Sequence, residues 1–182
     1  MLGVSGQGFP PLPPYSDPRQ ALRKALPSLR PAAQMTVTEA AEKYLHVNVA
    51  GQWQKFRRDV APYMVEPTDM IASRKYRGLV LCGPSQSGKT MMLLNAMAYT
   101  IMADPARTAL FQMTREAAAE FERNKLAPMI RNSPKLRQRM DTGRGADNQY
   151  LKRYIGGTEI SLDWPTITKL SSATIRRLLL TD

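Results

Sequence analysis

Residues 83–90 read GPSQSGKT: a glycine, four residues, then Gly88, Lys89 and Thr90. Each residue type at this spacing has a task in holding a nucleoside triphosphate. Glycines let the run Gly83, Pro84, Ser85, Gln86, Ser87, Gly88 bend so that backbone N–H groups point inward at phosphate oxygens. A helix starting at the loop's end adds the positive end of its dipole. Lys89 is expected to reach the β- and γ-phosphates, and the Thr90 hydroxyl to hold Mg²⁺. ATP and Mg²⁺ are therefore the expected cofactors. A second stretch points the same way. Three leucines, Leu178 to Leu180, are followed closely by Asp182. An aspartate at a strand end beside such a loop organises the Mg²⁺ water shell.

The elements that must position these residues are partly legible. LVLC, residues 79–82, reads as a short buried strand, and TMMLLNAMAYTIMA as a buried helix. Upstream, Thr36 and Glu39 form a capping box before a short amphipathic helix. Trp53 and Phe56 stand three apart, the spacing of one helical face. Pro62–Tyr63 precedes the loop by about twenty residues and places an aromatic ring where a bound base can lie. Downstream, ALFQM reads as a strand. TREAAAEFERNKLAPMI reads as a helix capped by Thr114 and broken near Pro128. YIGGTEISLDW reads as a hairpin around a Gly-Gly turn, which puts Glu159 on a different strand from Asp182. Alternating strands and helices predict an α/β domain with a mostly parallel sheet flanked by helices.

Length and composition set bounds. The 182 residues suffice for one domain with a real core, and 43% apolar with 23% charged residues is ordinary for a globular chain. A formal charge of +11 is not typical of an enzyme for small metabolites, and it predicts a polyanionic partner, nucleic acid first. From Arg123 to Arg153, nine Lys or Arg face two Asp, a local net of +7. That stretch, with Arg137 and Arg139 near its middle, is expected to lie along a phosphate backbone. The one cysteine, Cys82, excludes an internal disulfide and a Cys-based zinc site, and reads as an inert core thiol. His46, the one histidine, reads as a solvated or capping residue. No apolar run has the length of a membrane span, and the N-terminus lacks the pattern of a secretory signal, so the cytoplasm is expected. Residues 1–31 hold seven of the fourteen prolines and few apolar anchors. They read as a flexible, disordered arm, with 32–182 as the folded domain.

From about Leu29 to Asp182 the chain resembles the N-terminal ATPase part of tailed-phage large terminase subunits of the lambda-like GpA type. The pieces that carry the resemblance occur in order: LRPAAQMTVTEAAEKYL, APYMVEPTDMI, GPSQSGKTMMLLNAMAYTIMADP, LFQMTREAAAEFERNKLAPMIRNSPKLRQRM, GGTEISL and LSSATIRRLLLTD. The resemblance implies a P-loop NTPase domain of the ASCE type and an ATP-driven motor that packages viral DNA into a procapsid in the host bacterial cytoplasm. It implies double-stranded DNA, a small terminase subunit and the portal as partners, a ring of copies, and an endonuclease domain elsewhere. Lys89 and Thr90 match the phosphate and Mg²⁺ ligands, Asp182 the metal-organising aspartate, and Tyr63 falls in the segment that meets adenine. Met64 stands where such proteins often have glutamine, and FQMT carries methionine where the family has proline. The acidic residue that orients the attacking water would follow Asp182. The expectation is a partial ATPase domain, with weak ATP binding and hydrolysis near background. Another DNA-translocating P-loop ATPase, of helicase or recombination type, and a non-hydrolysing nucleotide-binding module are the alternatives.

Overall fold

The structure is a computed structural model that describes Arg19, residues 34–171 and residues 174–181. The proline-rich arm, apart from Arg19, and Asp182 lie outside the described residues. The chain divides into two units, Met1–Pro31 and Ala32–Asp182, and the elements below belong to the second.

Helix α1 (Val37–Tyr44) begins with the expected capping box. The Glu39 N–H donates to Thr36 Oγ1 at 3.2 Å, and the Thr36 N–H donates to Glu39 Oε2 at 2.8 Å. Two otherwise orphan donors are thereby satisfied, and Val37, Ala40 and Ala41 go into the core. Strands β1 (His46–Val49) and β2 (Gln52–Lys55) then form a separate antiparallel hairpin. This corrects the helical reading of Trp53 and Phe56. The turn is Ala50–Gly51, both at positive φ, and Asn48 Oδ1 accepts from the Gly51 N–H at 2.8 Å. Trp53 is exposed, while Phe56 packs half-buried against the core. His46 opens β1, and its N–H donates to Ser133 Oγ at 2.9 Å. It is half-buried rather than solvated, and its Nδ1 is buried without a partner among the described residues.

After two short 3₁₀ turns, Arg58–Val60 and Pro62–Met64, comes α2 (Val65–Met70). The first turn is tied back to α1: the Arg58 N–H and its Nε both donate to the Glu42 carboxylate, at 3.1 and 2.8 Å. The hydrogen bond from the Arg58 side chain is the main cause that holds the Glu42 carboxyl below its ordinary range. The second turn carries Tyr63.

Helix α3 (Lys89–Met102) is buried from Met92 through Ala98. A helix apolar around so much of its circumference must be packed on several sides. Strand β3 (Arg107–Phe111) follows, then α4 (Arg115–Phe121), capped by Thr114, whose Oγ1 accepts from the Ala117 N–H at 3.1 Å. The helical path does not break at Pro128. It widens into a π turn over Glu122–Leu126, resumes as α5 (Ala127–Asn132) with Pro128 in its first turn, and gives way at Ser133 to α6 (Pro134–Gln138). Proline is tolerated in a first helical turn because its missing N–H has no partner there anyway.

The short β4 (Asp147–Asn148) pairs antiparallel with β5 (Leu151–Tyr154), and β5 antiparallel with β6 (Thr158–Asp163), with Gly156 and Gly157 at positive φ in the β5–β6 turn. After α7 (Ile167–Ser171), β7 (Arg177–Leu180) completes a five-stranded sheet of order β4-β5-β6-β3-β7. The expected parallel pairing holds for β6–β3–β7. The far edge is antiparallel, because a two-glycine turn cannot span a parallel crossover. Leu110, Ile160 and Leu162 are fully buried in this sheet, each contributing roughly 1.5–3 kcal/mol of burial free energy. Among the described residues no helix is long and apolar enough to cross a membrane.

Candidate functional site

Between α2 and α3 the chain runs through residues 71–88 without a strand. LVLC is not the buried strand its composition predicts: Val80 is 87% exposed, Leu79 is exposed, and neither pairs with another strand. A cleft of about 590 Å³ lies between this segment and β7, lined on one side by Gly78 to Leu81 and on the other by Leu178 to Leu180. Across the described residues β7 is paired on one side only, with β3. Without a neighbouring ladder the apolar run has nothing to bury against. Cys82 is likewise exposed, which corrects its reading as a core thiol.

The glycine loop itself is well formed. Gly88 sits in the left-handed region at φ 92°, as the N-cap of α3, and Gln86 also has positive φ, at 60°. A Cβ on Gly88 would be strained by that dihedral and would meet Met64 Cγ at 3.4 Å. A Cβ on Gly83 would come within 3.1 Å of Ser87 Oγ, so the loop closes tightly on itself there. Lys89 folds back over the loop, its Nζ donating to Gly83 O at 2.7 Å and Pro84 O at 2.8 Å. Ser85 and Gln86 form a tight turn that brings the Ser87 N–H back toward Pro84 O, while the backbone N–H groups of Ser85, Gln86 and Gly88 have no hydrogen-bond partner among the described residues. Free donors at a helix N-terminus, beside an ammonium group that two loop carbonyls hold, are groups suited to an anion. These residues fit a triphosphate: donors are available, the loop is narrow, and no carboxylate among the described residues pairs with Lys89.

Tyr63 is brought to this loop, its hydroxyl donating to Ser87 O at 3.3 Å, while the ring is 64% exposed. Thr90 is exposed in the first turn of α3. Thr181 continues past β7, its N–H donating to Phe111 O at 3.2 Å. Asp182 falls just beyond the described residues. Glu159 stands apart on β6, paired with Arg107 at 3.0 Å and Arg153 at 3.4 Å. Sequence reasoning missed one device. Arg177, at the start of β7, bonds Asp104 at 2.8 Å and also Thr100, so the strand is clamped to the C-terminal end of α3. A lone Asp after a helix and an Arg before a strand carry no spacing signal that would pair them.

A parallel β6–β3–β7 trio, together with a glycine loop opening α3, defines a mixed α/β chain consistent with a P-loop-like fold. The family description "Phage terminase large subunit gpA, ATPase domain" matches residues 50–182, and the chain belongs to that family. It is also similar to the terminase large subunit of Enterobacteria phage P21, at 27% identity over 116 residues, covering 64% of this chain and 18% of that protein. The chain thus spans about a fifth of the length of the curated relative it matches. No solved structure matches it.

Proposed function

We propose that this chain supplies the ATP-binding part of a phage DNA-packaging terminase large subunit, with the loop Gly83–Thr90 as its phosphate site. The observation that carries this reading is the set of free N–H donors of Ser85, Gln86 and Gly88 around Lys89. On this reading Lys89 exchanges its two carbonyl partners for β- and γ-phosphate oxygens, and Thr90 and Asp182 hold the metal. Mg²⁺, when bound, neutralises charge on the phosphates. Tyr63, already bonded to the loop, lays its ring against the base.

The fold region proposed is an ASCE-type ATPase domain over 32–182, with 1–31 as a flexible arm. For the longer protein we propose an endonuclease domain, double-stranded DNA as substrate, and contacts with a small terminase subunit and the portal of the procapsid. Assembly as a ring in the host cytoplasm completes the proposal. Membership of the terminase ATPase family and the +11 charge support it.

Titration with a fluorescent ATP analogue tests the phosphate site. Replacing Lys89 with alanine removes a charge-assisted hydrogen bond and is expected to weaken binding by about 2–3 kcal/mol. Undiminished affinity in Lys89→Ala would reject the site. Thr90→Ala is expected to lose the dependence of affinity on Mg²⁺ while keeping metal-free binding.

A further inference from the structure

About half of the described arginine side chains have a partner. Arg57, Arg58, Arg107, Arg153, Arg176 and Arg177 each hold a carboxylate. The guanidiniums of Arg123, Arg131 and Arg137 do not: none has an ion pair, hydrogen bond or ring partner among the described residues. All three line one open cleft of about 510 Å³.

Three different elements deliver them. Arg123 comes from the π turn, Arg131 from α5 and Arg137 from α6. Each element is pinned by a buried neighbour in sequence: Leu126 and Leu136 are fully buried and Ile130 nearly so. The apolar residues thus face the core while the guanidiniums are left on the cleft side. A π turn inserted in a helix shifts the phase of every side chain after it, and such turns recur at functional sites. The two carboxylates in the cleft do not offset the arginines. Glu122 and Asp147 are both engaged by Lys152, whose side chain is 5% exposed and lies 2.7 Å from Glu122. With four cations and two anions among these lining groups, the cleft carries a local charge of +2.

We infer that this cleft is a seat for the phosphodiester backbone of DNA, read without regard to sequence. Three unpaired guanidiniums in one cleft repel one another until an anion enters, and the planar guanidinium forms two parallel hydrogen bonds to a phosphate. A small free anion would call for an enclosed pocket. Here the cleft is open, as a long polyanion requires, and Arg139 and Arg144 follow in the sequence. The inference rests on the reading of the chain as part of a DNA-handling motor, and it goes further by naming the residues that touch the backbone.

The test is fluorescence anisotropy of a labelled duplex with the 182-residue chain at rising salt. The variant R123Q/R131Q/R137Q is compared with a charge-matched one, K43Q/K55Q/R57Q, whose exposed side chains line no part of the cleft. Removing one arginine–phosphate pair should flatten the slope of log K against log salt by about 0.9, so the cleft variant is expected to fall by roughly 2–3 units. The charge-matched variant is expected to fall much less, and replacement of the three by lysine to restore most of the slope. Equal falls in both variants, an unchanged slope in the cleft variant, or no salt-dependent DNA binding by the parent would each overturn the inference. Preferential displacement of the duplex by an acidic polypeptide would overturn it in favour of an acidic protein partner. ATP-analogue binding, measured in parallel with Lys89→Ala, reports on the phosphate loop alone and keeps a failure there distinct from a failure here.

Discussion

Residues 107–111 and residues 79–82 invite comparison. Both are short runs dominated by apolar residues, and both lead through a loop into a helix. RTALF becomes β3, hydrogen-bonded to β6 on one side and β7 on the other, with Ala109 and Leu110 essentially inaccessible. LVLC stands without a ladder, and Val80 is in solvent. Composition does not separate them, since the second run is the more apolar. What separates them is a partner on each side. A strand is a cooperative arrangement in which burial and backbone pairing come together, so an apolar run that faces a cleft obtains neither. The glycine loop after LVLC keeps its shape nonetheless, held by Lys89 across its mouth, by Tyr63 at Ser87 and by α3 behind it.

The closed half should respond most strongly to mutation. Leu110→Ala, at the centre of the paired trio, is expected to cost about 3–5 kcal/mol, read from the urea midpoint. A cost below about 1 kcal/mol would mean that the sheet's centre is no better packed than its open side. Lys152→Ala comes next. It would strand Glu122, itself largely buried, without its cation, at about 2–4 kcal/mol. Pairing it with Glu122→Gln should return part of that stability, and a double variant no better than the single would argue that the pair contributes little. Smaller still is Thr36→Ala, which removes the capping-box acceptor and should cost about 1 kcal/mol, seen as a lower thermal midpoint.

The same contrast explains what was legible beforehand. Capping at Thr36 and Thr114, the long buried α3, β3 and the Gly156–Gly157 hairpin follow from local rules, and local sequence carries them. So does the shape of the glycine loop, because Gly88 at positive φ is written in the backbone freedom of its residue type. The β1–β2 hairpin escaped because its two-residue turn uses Ala50 at φ 51° where Asn or Asp would signal it. The π turn escaped because a helix of unchanged composition gives no sign that one turn has widened. The exposed state of LVLC escaped because exposure is a property of its neighbours rather than of its own residues. The three arginines were visible as charge within 123–153, but their convergence on one cleft needed the fold.

The smallest predicted effect is the sharpest test of the comparison. Val80→Ser would be severe in a buried strand: a missing apolar side chain and a hydroxyl in need of a partner together cost about 2–4 kcal/mol. With Val80 at 87% exposure the valine already faces water, so neither term applies. The β-branched side chain packs against no ladder, because residues 79–82 have none. The expected change in unfolding free energy is therefore within about 0.5 kcal/mol, with an unchanged slope against urea. Val80→Ser in the 182-residue chain, measured beside Leu110→Ala under the same conditions, gives the ratio directly. Two costs of similar size would mean that 79–82 is paired in solution, that the cleft beside β7 is closed there, and that the two apolar runs are equivalent after all.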